Sequence, residues 1–205
     1  LTDPNDSLPR LKERFNKRKV IHMVKQESTS VRLMHYDPRW RQEYKQTCSG
    51  LLHACEGWLC AVEHVGSTAI PGMIAQPTID VLAGVKHEHE LSEAAIRIEG
   101  LNFVATSEAS DSLRQVTLQK PRRLVSGQNE PTHRVFLMLE GSDAWLRALL
   151  LRDYLASQPE VALQYEEVKM LHWKECQGDR AAYELAKASY LTHLVDQIQA
   201  AKNNC

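Results

Sequence analysis

Between Glu63 and Asp80 the chain sets an acid, a histidine, a glycine, two hydroxyls and, beyond a proline-broken connection, a second acid. Those types at that spacing suggest phosphate chemistry. Gly66 permits positive φ and close backbone approach, while Ser67 and Thr68 offer hydroxyls beside backbone N–H groups, the material of an anion cradle. Asp80 supplies one hard oxygen ligand of the kind that holds a divalent cation such as Mg²⁺. Two readings fit. One is a strand, a Gly-Ser turn and a solvated aspartate. The other is a nucleotide site in which Gly66, Ser67 and Thr68 hold phosphate and Asp80 holds the cation that neutralises it.

The site needs two strands to carry it. The apolar run Trp58–Val62 reads as a buried strand that ends at Glu63 and His64 and emerges into the turn at Gly66. Pro71, Gly72 and Pro77 keep the connection irregular. Thr78 to Val85 reads as a second strand, with Asp80 and Leu82 on one face and Ile79, Val81 and Ala83 on the other.

The remaining elements follow from periodicity. Asp37-Pro38 marks a helix start, and Trp40, Tyr44, Leu51, Leu52 and Cys55 recur at helical intervals, predicting a helix over 39–54. A second helix is expected from His87 to Glu99, stopped by Gly100. Leu101–Ala105 and Leu113–Gln119 read as strands around a polar turn at Ser107–Asp111, and Pro121–Pro131 as a mobile loop or flap. Thr132–Leu139 should be the last strand, with His133, Val135, Leu137 and Leu139 opposite Arg134, Phe136 and Met138. Three amphipathic helices close the chain, starting after Ser142, at Pro159 and after Asp179. The fold expected is α+β, a mixed sheet of about five strands under one N-terminal and three C-terminal helices.

Composition bounds the function classes. At 205 residues and 43% apolar content the chain supports one full core. Residues 1–30 carry 7 basic against 4 acidic side chains, and the rest carries 18 against 22. Residues 1–30 therefore read as a basic extension, and 31–205 as a mildly acidic domain unsuited to coating nucleic acid. Nucleic-acid contact is expected only through residues 10–25, where Arg10, Lys12, Arg14, Lys17, Arg18, Lys19 and Lys25 lie. Five cysteines without CxxC spacing read as reduced core residues of a cytoplasmic protein, and no apolar run reaches the ~20 residues of a membrane helix.

The longer stretch is more specific than its parts. EHVGSTAIPG followed by QPTIDVLAGV closely resembles the GrpB-like family (UPF0157), which reads E-H-I-G-S-T-x-V-P-G and then K-P-I-I-D-I. V-x-L-x-x-Y-D-P-x-W from Val31, RDYLASQP from Arg152, Tyr165 with Lys169 and Tyr183 with Lys187 extend the resemblance to about Ile198. The family is similar to minimal nucleotidyltransferases in fold, and some members are fused to dephospho-CoA kinase. The resemblance thus implies either binding of a nucleotide or other phosphorylated small molecule, with Mg²⁺-dependent nucleotidyl transfer open, or a silent accessory module that serves a protein partner.

Each candidate then has a role and a plainer alternative. Ser67 and the N–H groups after Gly66 would bind phosphate, Asp80 with Glu63 would hold Mg²⁺, and Lys169, Lys187 and Arg152 would reach phosphate from the helices. His64 would orient substrate or a metal-bound water, or simply bond beside the turn. The Tyr165–Lys169 and Tyr183–Lys187 pairs are equally readable as helical i, i+4 contacts, and Arg152 with Asp153 as a structural ion pair. Three departures from the family pattern argue against efficient catalysis. Leu82 stands two after Asp80, Gln76 replaces a usual lysine, and Arg134 and Phe136 occupy the His-x-His positions. Arg134 compensates for the charge missing at Gln76 if it binds phosphate in bidentate fashion.

Overall fold

The computed structural model describes residues 31–106, 115–123, 129–177 and 179–203. Five strands form one mixed sheet: β1 (Ala61–Val65), β2 (Ile79–Val85), β3 (Val104–Ala105), β4 (Val116–Arg123) and β5 (Asn129–Leu139). Their spatial order is β1-β2-β5-β4-β3, with β2 and β5 parallel and the other neighbours antiparallel. Among the described residues five α-helices flank it: α1 (Arg39–Ala54), α2 (Leu91–Glu99), α3 (Asp143–Ser157), α4 (Pro159–Glu175) and α5 (Arg180–Asn203). The chain is therefore α+β, as its periodicities predict.

The period of two in each strand divides the helices between the faces. Ile79, Val81, Ala83 and Val85 of β2 share a face with Val135 and Leu137 of β5 and Leu118 of β4, and Trp40, Leu51, Ala94 and Ile98 from α1 and α2 complete that core. On the other face Val65, Leu82 and Met138 pack under Trp145 of α3. Gly84 makes that contact possible, because a Cβ there would lie 3.1 Å from the Trp145 ring. A third apolar cluster, Ile70, Met73, Leu155, Tyr165, Leu194 and Ile198, joins α3, α4 and α5 to the connection between β1 and β2. Ser142 starts α3 by accepting a hydrogen bond from the Trp145 N–H.

Several boundaries differ from the sequence reading. Trp58 lies in a turn, and β1 begins at Ala61 and runs through Glu63 and His64 to Val65, so both polar residues sit within the strand. The N–H groups of Trp58 and Leu59 bond back to the Cys55 carbonyl, so these two side chains pack at the helix-to-strand corner, and cross-strand bonding starts only with Cys60 N–H to the Gly84 carbonyl. The strand expected over 101–105 shrinks to Val104–Ala105, because Leu101 and Asn102 form a turn with Asn102 at φ 65°. Pro121–Pro131 is strand at both ends: β4 runs on to Arg123 and β5 begins at Asn129, with Pro121 opposite Pro131 and a register shift after Lys120. Two prolines facing one another forgo ladder N–H groups that a bulge already leaves unpaired, so composition alone misread the segment. The basic extension over 1–30, the turn expected at Ser107–Asp111, residues 124–128 of the expected loop, and Cys205 lie outside the described residues. Of the remaining cysteines, Cys55 is buried, Cys48, Cys60 and Cys176 are partly buried, and all four are free thiols. Among the described residues no helix is long and apolar enough to cross a membrane.

Candidate functional site

The β1–β2 corner and the parallel β2–β5 pair bring the predicted residues to one end of the sheet. Asp80 is in register with Val65 on one side and Arg134 on the other. That register makes a bond the sequence could not announce: Arg134 Nε donates to Asp80 Oδ1 at 2.7 Å and Nη2 to Oδ2 at 3.1 Å. Both side chains are largely enclosed, at 17% and 16% exposure. A planar guanidinium gripping both oxygens of a carboxylate is the strong form of this contact. Asp80 also presses on the turn. Gly66 sits at φ 73°, ψ −176°, a region essentially closed to other residues, and a Cβ on it would stand 2.6 Å from Asp80 Oδ2.

Behind Gly66 the chain makes a single 3₁₀ turn, Ser67–Ala69. Its internal bonds begin with Ala69 N–H to Gly66 O, which leaves the Ser67 and Thr68 N–H groups outside that ladder. Thr68 is buried, and its hydroxyl lies 3.0 Å from His64 Nε2 and donates to the Thr78 carbonyl at 3.4 Å. It ties the turn to β1 and β2.

A cleft of about 280 Å³ opens above this floor, between the sheet and helices α3–α5. Asp80, Arg134, Arg152, Glu184 and Lys187 give it charge; Ile70, Phe136, Leu151, Leu155 and Leu191 give it an apolar wall. Arg134, Arg152 and Lys187 are each paired with a carboxylate. Arg152 Nη1 donates to Glu63 Oε2 at 2.7 Å and to the His64 carbonyl at 3.1 Å, and its Nε pairs with Asp153 at 2.7 Å, the ion pair expected from sequence. Lys187 pairs with Glu184 at 2.5 Å and lies over the Tyr183 ring. Burial raises the Glu184 carboxyl's affinity for its proton, but Lys187 and Arg134 outweigh it and leave the pKa lowered.

Two predicted residues stand apart from this group. His64 is in register with Val81, so it projects from the face opposite Glu63, Val65 and Asp80. Its ring stacks on Tyr44 at 4.6 Å, and burial pushes its pKa down to about 4, so it is a neutral packing histidine at neutral pH. Lys169, read as a phosphate contact or a surface pair, is only 2% exposed. Its ammonium bonds the Ile74 carbonyl, reaches Ser67 Oγ at 3.4 Å and lies 4.6 Å over the Tyr165 ring. Glu166 accepts from the Ile74 N–H, so α4 clamps both sides of that residue. Tyr165 and Tyr183 are buried as well, at 3% and 1%. Sequence reasoning missed Glu184 and Tyr165 as lining residues. The Glu184–Lys187 spacing, one helical turn, was the available signal for the first.

Asp80 and Glu63 share a face, but each carboxylate is engaged by a separate arginine, and no group of three or more His, Cys, Asp or Glu converges among the described residues.

The comparisons with known proteins agree with this architecture. A UPF0157 protein of Pseudomonas aeruginosa is 29% identical over 172 residues, which is 83% of this chain and 69% of the relative. The UPF0157 protein YqkA of Bacillus subtilis is 28% identical over 150 residues, 73% of this chain and 41% of the relative. A dephospho-CoA kinase of Mycobacterium bovis is 26% identical over 210 residues, spanning 90% of this chain and 51% of the kinase. The crystal structure of the conserved protein GrpB from Enterococcus faecalis superposes with a TM-score of 0.70 at 23% identity, covering 81% of this chain and 96% of that one. The family model described as GrpB protein matches residues 30–197, the whole sheet and nearly all of the helical layer that encloses the cleft, and the chain belongs to the GrpB family.

Proposed function

We propose that this chain binds a small phosphorylated molecule, of about the size of a nucleoside monophosphate, in the cleft above Gly66 and Ser67. The observation that carries the reading is the convergence of three cationic side chains, Arg134, Arg152 and Lys187, on one small cleft with two carboxylates, Asp80 and Glu184. Carboxylates hold all three in place before any ligand arrives: Asp80 holds Arg134, Glu63 and Asp153 hold Arg152, and Glu184 holds Lys187. The resemblance of the Gly-Ser turn and following aspartate to nucleotidyltransferases supports the same ligand class. Metal-dependent transfer is not part of the reading, since both candidate carboxylates are engaged by arginines. A nucleoside triphosphate carries too much charge for this cleft without a cation, which is why the monophosphate is favoured.

The test is a thermal-shift titration with nucleoside monophosphates, sugar phosphates and nucleoside triphosphates, each with and without Mg²⁺. A ligand at a hundred times its Kd stabilises by ~2.7 kcal/mol, which is roughly 5–10 °C for a chain of this size. The expected result is a metal-independent shift with a monophosphate that is lost in Lys187→Met. A response confined to triphosphate with Mg²⁺, and lost in Asp80→Asn, would instead establish transfer chemistry.

One observation favours a second reading. The dephospho-CoA kinase relative matches over only half its own length, so a unit like this one is joined there to other sequence. A silent accessory module serving a protein partner fits that arrangement, and the absence of any ligand response would select it.

A further inference from the structure

Ser67, Lys169 and Tyr165 form a cluster at the back of the cleft. Ser67 lines the cleft and is partly exposed, whereas Lys169 lies behind it, 2% exposed, with Nζ 3.4 Å from Ser67 Oγ. The Tyr165 side chain also lines the cleft, beneath the Lys169 ammonium. Two backbone donors, the N–H groups of Ser67 and Thr68, precede the first bond of the 3₁₀ turn. We propose that Ser67 is a nucleophile served by Lys169 as its general base, acting on a small carboxylic ester seated in the cleft.

The geometry meets the requirements of such a pair. A serine hydroxyl is a weak nucleophile unless an adjacent base takes its proton. A lysine serves only when its amine is neutral, and burial pushes the Lys169 pKa down to about 8. Nζ donates to the Ile74 carbonyl, which holds it beside Ser67 Oγ, and once neutral its lone pair is available to the Ser67 proton. Tyr165, stacked on the Tyr190 ring 5.5 Å away, packs under the Lys169 ammonium and walls the pair on that side.

The step balances within these groups and water. The Ser67 Oγ–carbonyl carbon bond forms as the hydroxyl proton passes to Nζ, with negative charge on the carbonyl oxygen facing the Ser67 and Thr68 N–H groups. The ester C–O bond then breaks, and the departing alkoxide takes the proton from Nζ. Water repeats the exchange at the acyl-serine, releasing the acid and restoring the hydroxyl. The apolar wall of Leu151, Leu155 and Leu191 suits a small apolar acyl group.

This inference stands whether or not the cleft takes a phosphorylated ligand, because its probe is a neutral alkyl fluorophosphonate. Mass spectrometry of the labelled chain is expected to find the adduct on Ser67 and none at that position in Ser67→Ala. The labelling rate of the parent should rise with pH through a midpoint near 8. Lys169→Met, checked for folding by circular dichroism, should label about 100-fold more slowly, the lower range for loss of a general base. No adduct on the folded parent at about pH 9, a pH-independent rate, or a folded Lys169→Met that labels as fast as the parent would each overturn the proposal. If Lys169→Met does not fold, the parent's adduct site and pH profile decide alone, since a purely structural lysine would give neither.

Discussion

The Asp80–Arg134 bond is the contact on which the cleft's charge arrangement turns, and a double-mutant cycle measures it. Removing Arg134 as Arg134→Met leaves the Asp80 carboxylate, 16% exposed and pressed against Gly66, without its guanidinium. Breaking a fully buried ion pair costs ~3–5 kcal/mol, and an exposed one contributes ~0–1 kcal/mol. This pair lies at a cleft wall where water reaches part of it, so Arg134→Met should destabilise by about 2–3 kcal/mol. Asp80→Asn keeps the shape but halves the bidentate grip, and should cost about 1–2 kcal/mol. Arg134 also lies 5.8 Å over the Phe136 ring, and that contribution cancels in the cycle. The double mutant should therefore be less destabilised than the sum of the singles by about 1.5–2 kcal/mol. Urea unfolding followed by circular dichroism gives all four free energies. Additivity to within ~0.5 kcal/mol would refute the pairing. It would also return Asp80 to the role of a free acid open to a cation, and the metal-independent reading of the cleft would fall with it.

Gly66→Ala should be costly for its size. A methyl at φ 73°, ψ −176° is strained by ~1–3 kcal/mol, and its contact with Asp80 Oδ2 forces the carboxylate to move. A melting temperature lowered by about 4–10 °C is expected, and an unchanged one would show that the turn relaxes freely. Acid should weaken the fold through His64 and His133, both pushed down to about 4 by burial. An unfolded histidine titrates near ~6.5, so the unfolded chain binds more protons below that value. Stability is thus complete above about pH 6.5 and falls as pH drops towards 4, by on the order of 1–3 kcal/mol per histidine once screening is allowed for. Urea midpoints at about pH 7.5, 5.5 and 4.5 check the slope, and a flat or rising series contradicts it.

Much of the frame was legible because it depends on local chemistry. Alternation in Thr78–Val85 and Thr132–Leu139 assigned Asp80 and Arg134 each to a face, and parallel pairing of β2 with β5 turned those assignments into a shared cleft. The helices over 39–54 and after Ser142, Pro159 and Asp179 follow from caps and apolar periodicity. His64 was misplaced because the strand extends three residues beyond its apolar run, so His64 lies within the ladder and alternation turns it to the face opposite Asp80. The two ends of Pro121–Pro131 were misread because breaker residues signal a loop only where no ladder bond is already missing.

What the sequence by itself determined was the fold class, the location of the Gly-Ser turn and the residue types around it, since these rest on periods, caps and the conformational freedom of one glycine. Only the tertiary structure decided the partners. Asp80 meets Arg134 fifty-four residues away, Arg152 reaches Glu63, and Lys169 lies behind Ser67 at a separation of 102 residues. A side chain's period shows which way it points, but the strength of a charge depends on what lies within a few ångströms. Chain folding alone sets that distance.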